Sequence, residues 1–391
     1  MSTNRERFKQ VLHHRKPDIL PWVEIIFEET LMRWFREGLP ADEVSVIGYE
    51  IGRGGTFFTN WPIFKGFGKV YDRFGCQSFF GSMPLIDVGP VPRFKQRKLS
   101  ETEKHADYLT ETGAIVRRPK RGDFEFYAMP QFIEFPVKDK KTWEEYKTRL
   151  NPEDPRRYPK DWEREGYIER FETYQKGPTL LRFNGFYGFG AELMSIPRFV
   201  TAFYKDPELI REMLEYWEYF TIETIREVVE TLKNRIDVIY WWEDMAERHG
   251  PCISPKLFRE FLLPHYKRVT GFLKKNGIDR IMFDSDGNLN PLLDEIIEAG
   301  CTGLWPLEVN SGMVALEIKQ KYGDKFFLIG NLDKRELAKG GEAMRKEVDS
   351  KVPILKELGG YIPSADHVIH VEFSLDCFRE YSEYMKSILP Y

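Results

Sequence analysis

Short apolar runs alternate with long amphipathic stretches from Thr179 to near the C-terminus, and this alternation restricts the fold more than any other feature. Such a pattern is typical of βα units that build a parallel sheet. The predicted strands are 179–183, 236–242, 280–283, 302–305, 326–329 and 360–363. The predicted helices between them are 206–232, 254–275, 291–299 and 343–358.

Six predicted strands leave two more to be found nearer the N-terminus if the chain forms a barrel of eight. One is predicted at 19–25, after a helix over 4–13, but no second strand is clear. Residues 50–170 are rich in glycine, proline, aromatic and charged residues with weak periodicity, and we interpret them as a long elaboration. The prediction is one (β/α)8-barrel domain over 1–391 with this elaboration inside it.

Charge and composition exclude several classes of protein. The 58 basic and 62 acidic residues give a net charge of -4, without the basic segment that nucleic acid requires. Neither a run of about 18 apolar residues nor the apolar core of a secretion signal is present, so we expect a cytoplasmic protein that does not cross a membrane. Four scattered cysteines indicate neither a disulfide framework nor a thiolate zinc site. A homodimer is compatible with the sequence.

Acidic residues and one histidine follow the predicted strands, which is where barrel enzymes carry their functional groups. They are Glu243, Asp244, Asp284, Asp286, Glu308, Asp333, Asp366 and His367. Carboxylates a few ångströms apart cannot all ionise without a cation or a shared proton, and a divalent metal is the simplest remedy. The alternative interpretation is that these acids cap the helices that follow them.

Four segments resemble the uroporphyrinogen decarboxylase superfamily. They read NRERF at residues 4–8, KPDILP at 16–21, SPKLFREF at 254–261 and GGYIPS at 359–364. The resemblance extends over nearly the whole chain and is weakest within 50–170. It implies a (β/α)8 barrel with the active site at the C-terminal ends of the strands.

Two activities occur in this superfamily, and one segment separates them. The decarboxylases of this superfamily carry an arginine-rich motif after the first strand. That motif binds the carboxylates of the tetrapyrrole substrate. The corresponding stretch here contains Glu24, Glu28 and Glu29 and no arginine before Arg33. Acids there would repel a polyanionic tetrapyrrole. The resemblance therefore favours the corrinoid-linked methyltransferases, with Glu24 as a substrate contact.

Those methyltransferases bind zinc through a His-x-Cys pair followed by glycine, at a strand end similar to Asp284-x-Asp286-Gly287, and through a ligand near His367. The resemblance thus implies zinc or another divalent metal on Asp284, Asp286 and His367, completed by Glu308 or Glu243. Oxygen ligands make such an ion a harder Lewis acid, suited to a leaving oxygen. The pattern is similar to that of O-demethylases, which move a methyl group from a methoxylated aromatic compound to the cobalt of a corrinoid protein.

The expected function is therefore corrinoid-dependent methyl transfer, with Asp284, Glu243 and Asp244 as catalytic residues. The expected walls of the substrate pocket are Phe186, Tyr187, Trp241, Trp242 and Trp305, although each aromatic residue also suits the core. Two alternatives remain. One is a decarboxylase or lyase for a smaller acid, anchored by Arg53, Arg73 or Arg182. The other is a barrel that binds a partner without catalysis.

Overall fold

Strands and helices alternate along the part of the chain that the computed structural model describes, residues 2–40, 45–50, 61–65, 67–78, 86–120, 130–158 and 178–391. The strands are β1 (Val23–Glu24), β2 (Ser45–Glu50), β3 (Trp61–Lys65), β4 (Gln77–Ser78), β5 (Arg97–Glu101), β6 (His105–Leu109), β7 (Ile115–Pro119), β8 (Gln131–Glu134), β9 (Leu180–Asn184), β10 (Val238–Trp242), β11 (Ala246–Glu247), β12 (Gly250–Pro251), β13 (Ile281–Asp284), β14 (Gly303–Trp305), β15 (Phe327–Leu332) and β16 (Tyr361–Ala365).

The helices cover the sheet and supply most of the remaining core. They are α1 (Asn4–Leu12), α2 (Glu28–Arg36), α3 (Phe67–Phe74), α4 (Lys140–Lys147), α5 (Phe186–Met194), α6 (Ile196–Lys205), α7 (Pro207–Leu232), α8 (Pro255–Leu257), α9 (Leu263–Lys275), α10 (Leu293–Glu298), α11 (Ala315–Tyr322), α12 (Lys334–Leu337), α13 (Gly341–Leu358) and α14 (Leu375–Ile388). A π-helical segment, Phe258–Leu262, joins α8 to α9. Within the described ranges, no helix is long and apolar enough to span a membrane.

Six parallel strands form one sheet in the order β16-β15-β14-β13-β10-β9. Every residue of β10, β13, β14, β15 and β16 is buried, as expected when helices cover a parallel sheet, and this explains why these strands read as continuous apolar runs. All six correspond to predicted strands, with ends shifted by a few residues. The predicted α/β class is confirmed.

Two further parallel strands complete the barrel order. β1 pairs with β4, Val23 opposite Gln77, and β1 lies against β16, where the backbone N–H of Ala365 donates to Glu24 Oε2 over 3.1 Å. β4 is the strand that the sequence does not reveal, and it lies inside the range interpreted as elaboration. The order β1, β4, β9, β10, β13, β14, β15, β16 is that of a (β/α)8 fold. A ladder between β4 and β9 is not present among the described residues.

The elaboration adds antiparallel structure beside the barrel. β2 and β3 pair with each other, and β5 to β8 form a four-stranded antiparallel sheet. The buried guanidinium of Arg157 donates to the carbonyl oxygens of Asp87, Gly89, Arg149 and Asn151, at 2.6 to 2.8 Å. It thereby joins two loops next to α7. That the whole chain is a single domain stays a prediction.

Candidate active site

The alternation of side chains along β9 and β10 decides which strand-end residues face the barrel interior. Arg182 lies opposite Tyr240 and Asn184 opposite Trp242, so these four side chains share one face of the sheet. Trp242 also lies opposite Asp284 of β13. Because neighbours along a strand point to opposite faces, Trp241 and Glu243 face the helices instead.

Glu243 holds the start of a helix. Its carboxylate accepts from the backbone N–H of Phe186 at 2.9 Å and of Gly188 at 2.8 Å, and from the hydroxyl of Tyr266. Burial raises the pKa of Glu243 to about 8, although the helix N–H groups oppose this shift. A Cβ on Gly185 would lie 1.5 Å from Glu243 Oε1, so a larger residue there would displace the Glu243 carboxyl from this position. This placement favours the helix-cap interpretation of Glu243 over the predicted catalytic role.

Glu24 also faces the helices rather than the mouth of the barrel. We use 'mouth' for the C-terminal strand ends that carry Asp244, Asp284, Asp286 and His367. Its carboxylate is fully buried and accepts from Trp22 Nε1 at 2.7 Å, from the Tyr381 hydroxyl at 2.9 Å and from the backbone of Ala365. Burial raises its pKa to about 7, against these hydrogen bonds. The contacts connect β1 to β16 and α14, which favours a structural role over the predicted contact with substrate.

The five residues predicted as walls of the substrate pocket fall into two groups, one in the core and one at the mouth. Phe186, Tyr187 and Trp241 are at most 1% exposed and pack between the sheet and the helices, as in the 5.9 Å approach of the Phe186 and Trp241 rings. Their side chains are core rather than pocket wall. Trp242 and Trp305 remain at the mouth. The Trp242 ring lies 6.0 Å from the Arg182 guanidinium, and the Trp305 ring 6.2 Å from Tyr240.

Three aspartates gather on the inner side of the mouth. Asp284 is 1% exposed and accepts from the Tyr240 hydroxyl, and burial, followed by the charge of Asp244, raises its pKa well above the usual range. Asp244 Oδ1 accepts from the backbone of Asp286 at 3.5 Å. Burial and the charge of Asp286 raise the pKa of Asp244 to about 7. Asp244 and Asp284 therefore hold protons near neutrality more readily than free aspartate.

His367 forms the outer part of the same group. Its Nε2 lies 3.3 Å from Asp286 Oδ2, and the His367 and Asp286 side chains are 29% and 40% exposed. Burial lowers the pKa of the imidazole, but the hydrogen bond and the charge of Asp286 outweigh burial, so the pKa is raised. The Trp305 ring is stacked with the imidazole at 6.3 Å. A molecule entering the mouth thus meets an imidazole that Asp286 helps to keep protonated, beside an indole.

Glu308 and Asp366 shape the loops around this group. Glu308 accepts from the backbone of Gly287 at 3.0 Å and lies 3.5 Å from the Lys334 ammonium. Asp366 accepts from the backbone N–H groups of Val309 and Lys334. Both acids therefore have partners that hold the loops after β13, β14 and β15 in place.

Comparison with known proteins identifies the family of this chain. The family model described as uroporphyrinogen decarboxylase (URO-D) matches residues 190–388, just over half of the chain. The chain belongs to the uroporphyrinogen decarboxylase family. The match begins inside α5 and includes the strand ends of β10, β13, β14, β15 and β16, where the carboxylates and His367 lie.

Two solved structures are similar to this URO-D chain to different degrees, and the first shares its fold. A methyltransferase from Methanosarcina mazei is similar with a TM-score of 0.56 and 15% identity, over 99% of both chains. A B12-independent methionine synthase from a Shewanella species, in complex with selenomethionine, has a TM-score of 0.36 and 11% identity, over 57% of this chain and 64% of its own. No match was found among curated proteins.

The metal implied by the methyltransferase branch of the URO-D superfamily does not fit the side chains as placed. Within the described ranges, no three His, Cys, Asp or Glu residues are arranged to hold a metal ion. Asp284 is bound to Tyr240 and Glu308 to Lys334, so of the four predicted ligands only Asp286 and His367 are in contact. Zinc or another divalent metal at the mouth stays a prediction.

Two residues of this URO-D mouth were not predicted as part of it. Tyr240 was overlooked because it lies inside an apolar run, and counting alternate residues back from Asp244 would have found it. Arg182 was considered only as an anchor for another reaction. Its guanidinium lies 5.2 Å from the Tyr240 ring and lowers the pKa values of Asp244 and Asp284. Of the other predicted anchors, Arg73 is exposed and Arg53 lies outside the described residues.

Proposed function

We propose that this URO-D family protein transfers a methyl group from a methoxylated aromatic compound to the cobalt of a separate corrinoid protein. The observation that supports the proposal is the Asp286–His367 pair, which presents a proton donor beside Trp305 at the open side of the mouth. The proposal does not depend on the 15% identical methyltransferase, which supports the fold alone.

A methoxy oxygen is a poor leaving group unless it receives a proton or an equivalent charge. In the proposed reaction, cobalt(I) attacks the methyl carbon, the carbon–oxygen bond breaks, and the imidazolium of His367 delivers its proton to the departing oxygen. The products are a phenol and methylcobalt(III), and both electrons of the new bond come from cobalt(I). Asp286 stabilises the charged imidazole before the transfer.

The remaining mouth residues position the substrate. Trp305 and Trp242 are 5% and 7% exposed and contribute aromatic rings to the inner face of the mouth, beside which the aromatic substrate would pack. Asp244, Asp284 and Asp286 line the mouth with carboxyl groups, and the charge of Arg182, on the inner face of β9, acts on Asp244 and Asp284. A neutral ring therefore suits this mouth better than a tetrapyrrole with many carboxylates.

The test uses two parallel incubations of the purified protein. In one, methoxyarenes and a reduced corrinoid protein are supplied, and methylcobalt is followed by its absorbance. In the other, uroporphyrinogen is supplied and carbon dioxide release is measured. We expect methylcobalt in the first vessel and no release in the second. Carbon dioxide without methylcobalt would overturn the proposal.

Asp286→Asn is expected to move the alkaline limb of the kcat/KM profile for methyl transfer to lower pH. Asp286 raises the pKa of His367, so its removal lets the imidazole lose its proton at a lower pH. Glu372→Gln is the control, because it removes an exposed acid 3.9 Å from His370 without contacting His367. If the alkaline limb of the kcat/KM profile did not move in Asp286→Asn, the proposed role of the Asp286–His367 pair would be contradicted. Metal analysis of the same samples tests the predicted zinc.

Arg182 supports a second candidate, decarboxylation of a small acid. Its cation lies on the inner face of β9 next to carboxyls that can carry a proton, an arrangement that could bind a carboxylate and protonate the product carbon. Carbon dioxide release from small carboxylic acids, lost in Arg182→Met, would favour this candidate over methyl transfer.

A further inference from the structure

A small cavity lies between the barrel and the antiparallel sheet of the elaboration. Its volume is about 30 Å³. The barrel contributes Asn184 from the end of β9, Phe189 and Glu192 from α5, and Trp217 from α7, while the elaboration contributes Ala114 and Phe132. A water molecule needs about 10 to 15 Å³, so the cavity has room for a group of one or two heavy atoms.

Glu192 is the one charged residue of α5, a helix that otherwise consists of apolar residues, glycine and a tyrosine. Its Oε2 accepts from Asn184 Nδ2 at 2.5 Å, and its Oε1 is buried. Among the described residues, this Oε1 has no hydrogen-bond partner. A buried polar atom without a partner is costly, and native proteins rarely keep one without a function.

The cavity adjoins the mouth on the side of β9. Asn184 lies directly opposite Trp242 in the ladder, two residues before Asp244. The charges of Arg182 and Asp244 both act on Glu192. Asn184 thus lines the cavity and also shares the inner face of the sheet with Trp242, which makes the cavity and the mouth neighbours across the end of β9.

Resting on the proposed function, we propose that this cavity is a specificity subsite that accepts a neutral oxygen substituent of the aromatic substrate, with Glu192 Oε1 as its hydrogen-bonding partner. Burial raises the pKa of Glu192 well above its usual range, against the charge of Arg182, and this favours the protonated carboxyl, which can donate a hydrogen bond. Apolar walls such as Phe189 and Trp217 disfavour a charged substituent. The elaboration then has a role, since it closes the subsite from outside.

The experiment compares binding of 2-methoxyphenol, which carries a free hydroxyl, with binding of methoxybenzene, which does not. Calorimetric titration is applied to the wild type, Glu192→Gln and Glu192→Leu, with circular dichroism and melting curves to verify folding. We expect Glu192→Leu to bind 2-methoxyphenol at least tenfold more weakly and methoxybenzene unchanged. Glu192→Gln, which keeps a donor, should stay within about threefold of the wild type, since a retained hydrogen bond preserves most of the affinity.

Ala114→Leu provides a second variant in case Glu192→Leu does not fold. It narrows the cavity from the elaboration and should weaken 2-methoxyphenol selectively. Equal affinity of the wild type for both probes, or no binding of either, would overturn the subsite. Because binding is measured without the corrinoid protein, selective binding without methylcobalt formation would refute the proposed function alone. Methylcobalt formation from both probes that is unaffected by Glu192→Leu would refute the subsite alone.

Discussion

Replacing His367 by glutamine is expected to slow methyl transfer by about a hundredfold to ten-thousandfold, the range that a positioned proton donor contributes. Glutamine is similar in size but cannot deliver a proton at neutral pH. Single-turnover measurement of methylcobalt formation separates this loss from effects on product release. Stability should change little, because the His367 side chain is 29% exposed.

His370→Gln is the matched control for that experiment. His370 lies on the same loop, and its pKa is lowered by burial rather than raised by an acid. We expect the rate of methyl transfer by His370→Gln to stay within about threefold of the wild-type rate. Among the described residues, His370 has no contact with the three aspartates that would give it a share in general acid catalysis. A wild-type rate in His367→Gln would show that the leaving oxygen obtains its proton elsewhere.

Replacing Glu24 by leucine is expected to lower the free energy of unfolding by about 3 to 5 kcal/mol, since it leaves buried donors without an acceptor. Those donors are Trp22 Nε1, the Tyr381 hydroxyl and the backbone N–H of Ala365. Urea unfolding followed by tryptophan fluorescence measures the change. If Glu24 contacted substrate instead, the variant would lose binding and keep its stability.

The control for Glu24 is Glu357→Ala. Glu357 forms a 2.6 Å ion pair with Lys16, and its side chain is 68% exposed. An exposed pair of this kind contributes little to stability, so we expect the free energy of unfolding to stay nearly unchanged. The comparison separates loss of a buried carboxylate from loss of a negative charge.

The sequence predicted the strands well because each buried parallel strand is a continuous apolar run bounded by polar residues. β4 was not predictable, since a strand of two residues, Gln77 and Ser78, carries no periodicity. The positions of the acids after each strand were predictable. The direction in which each acidic side chain points depends instead on strand alternation and register. Glu243 and Asp244 are neighbours in sequence, yet one caps α5 and the other faces the mouth.

The metal prediction illustrates a related limit. Spacing alone cannot show that Asp284 is already bound to Tyr240 and that Glu308 lies beside Lys334, because those contacts join separate strands and loops. Glu192 did carry a sequence signal, a lone acid in an apolar helix. Whether each aromatic residue lies in the core or lines the pocket was ambiguous for the same reason. Trp241 and Trp242 are neighbours in sequence but point to opposite sides of one strand.

The contact of Glu24 with Ala365 spans 341 positions along the chain, and this has a consequence during synthesis. On the ribosome, β1 is synthesised long before its neighbour β16. Until β16 follows, one edge of β1 stays open and the burial of Glu24 is incomplete. Closing so long a loop is slow. The nascent chain is therefore prone to aggregation until β16 has been synthesised and paired, and binding by a chaperone would protect it most during that interval.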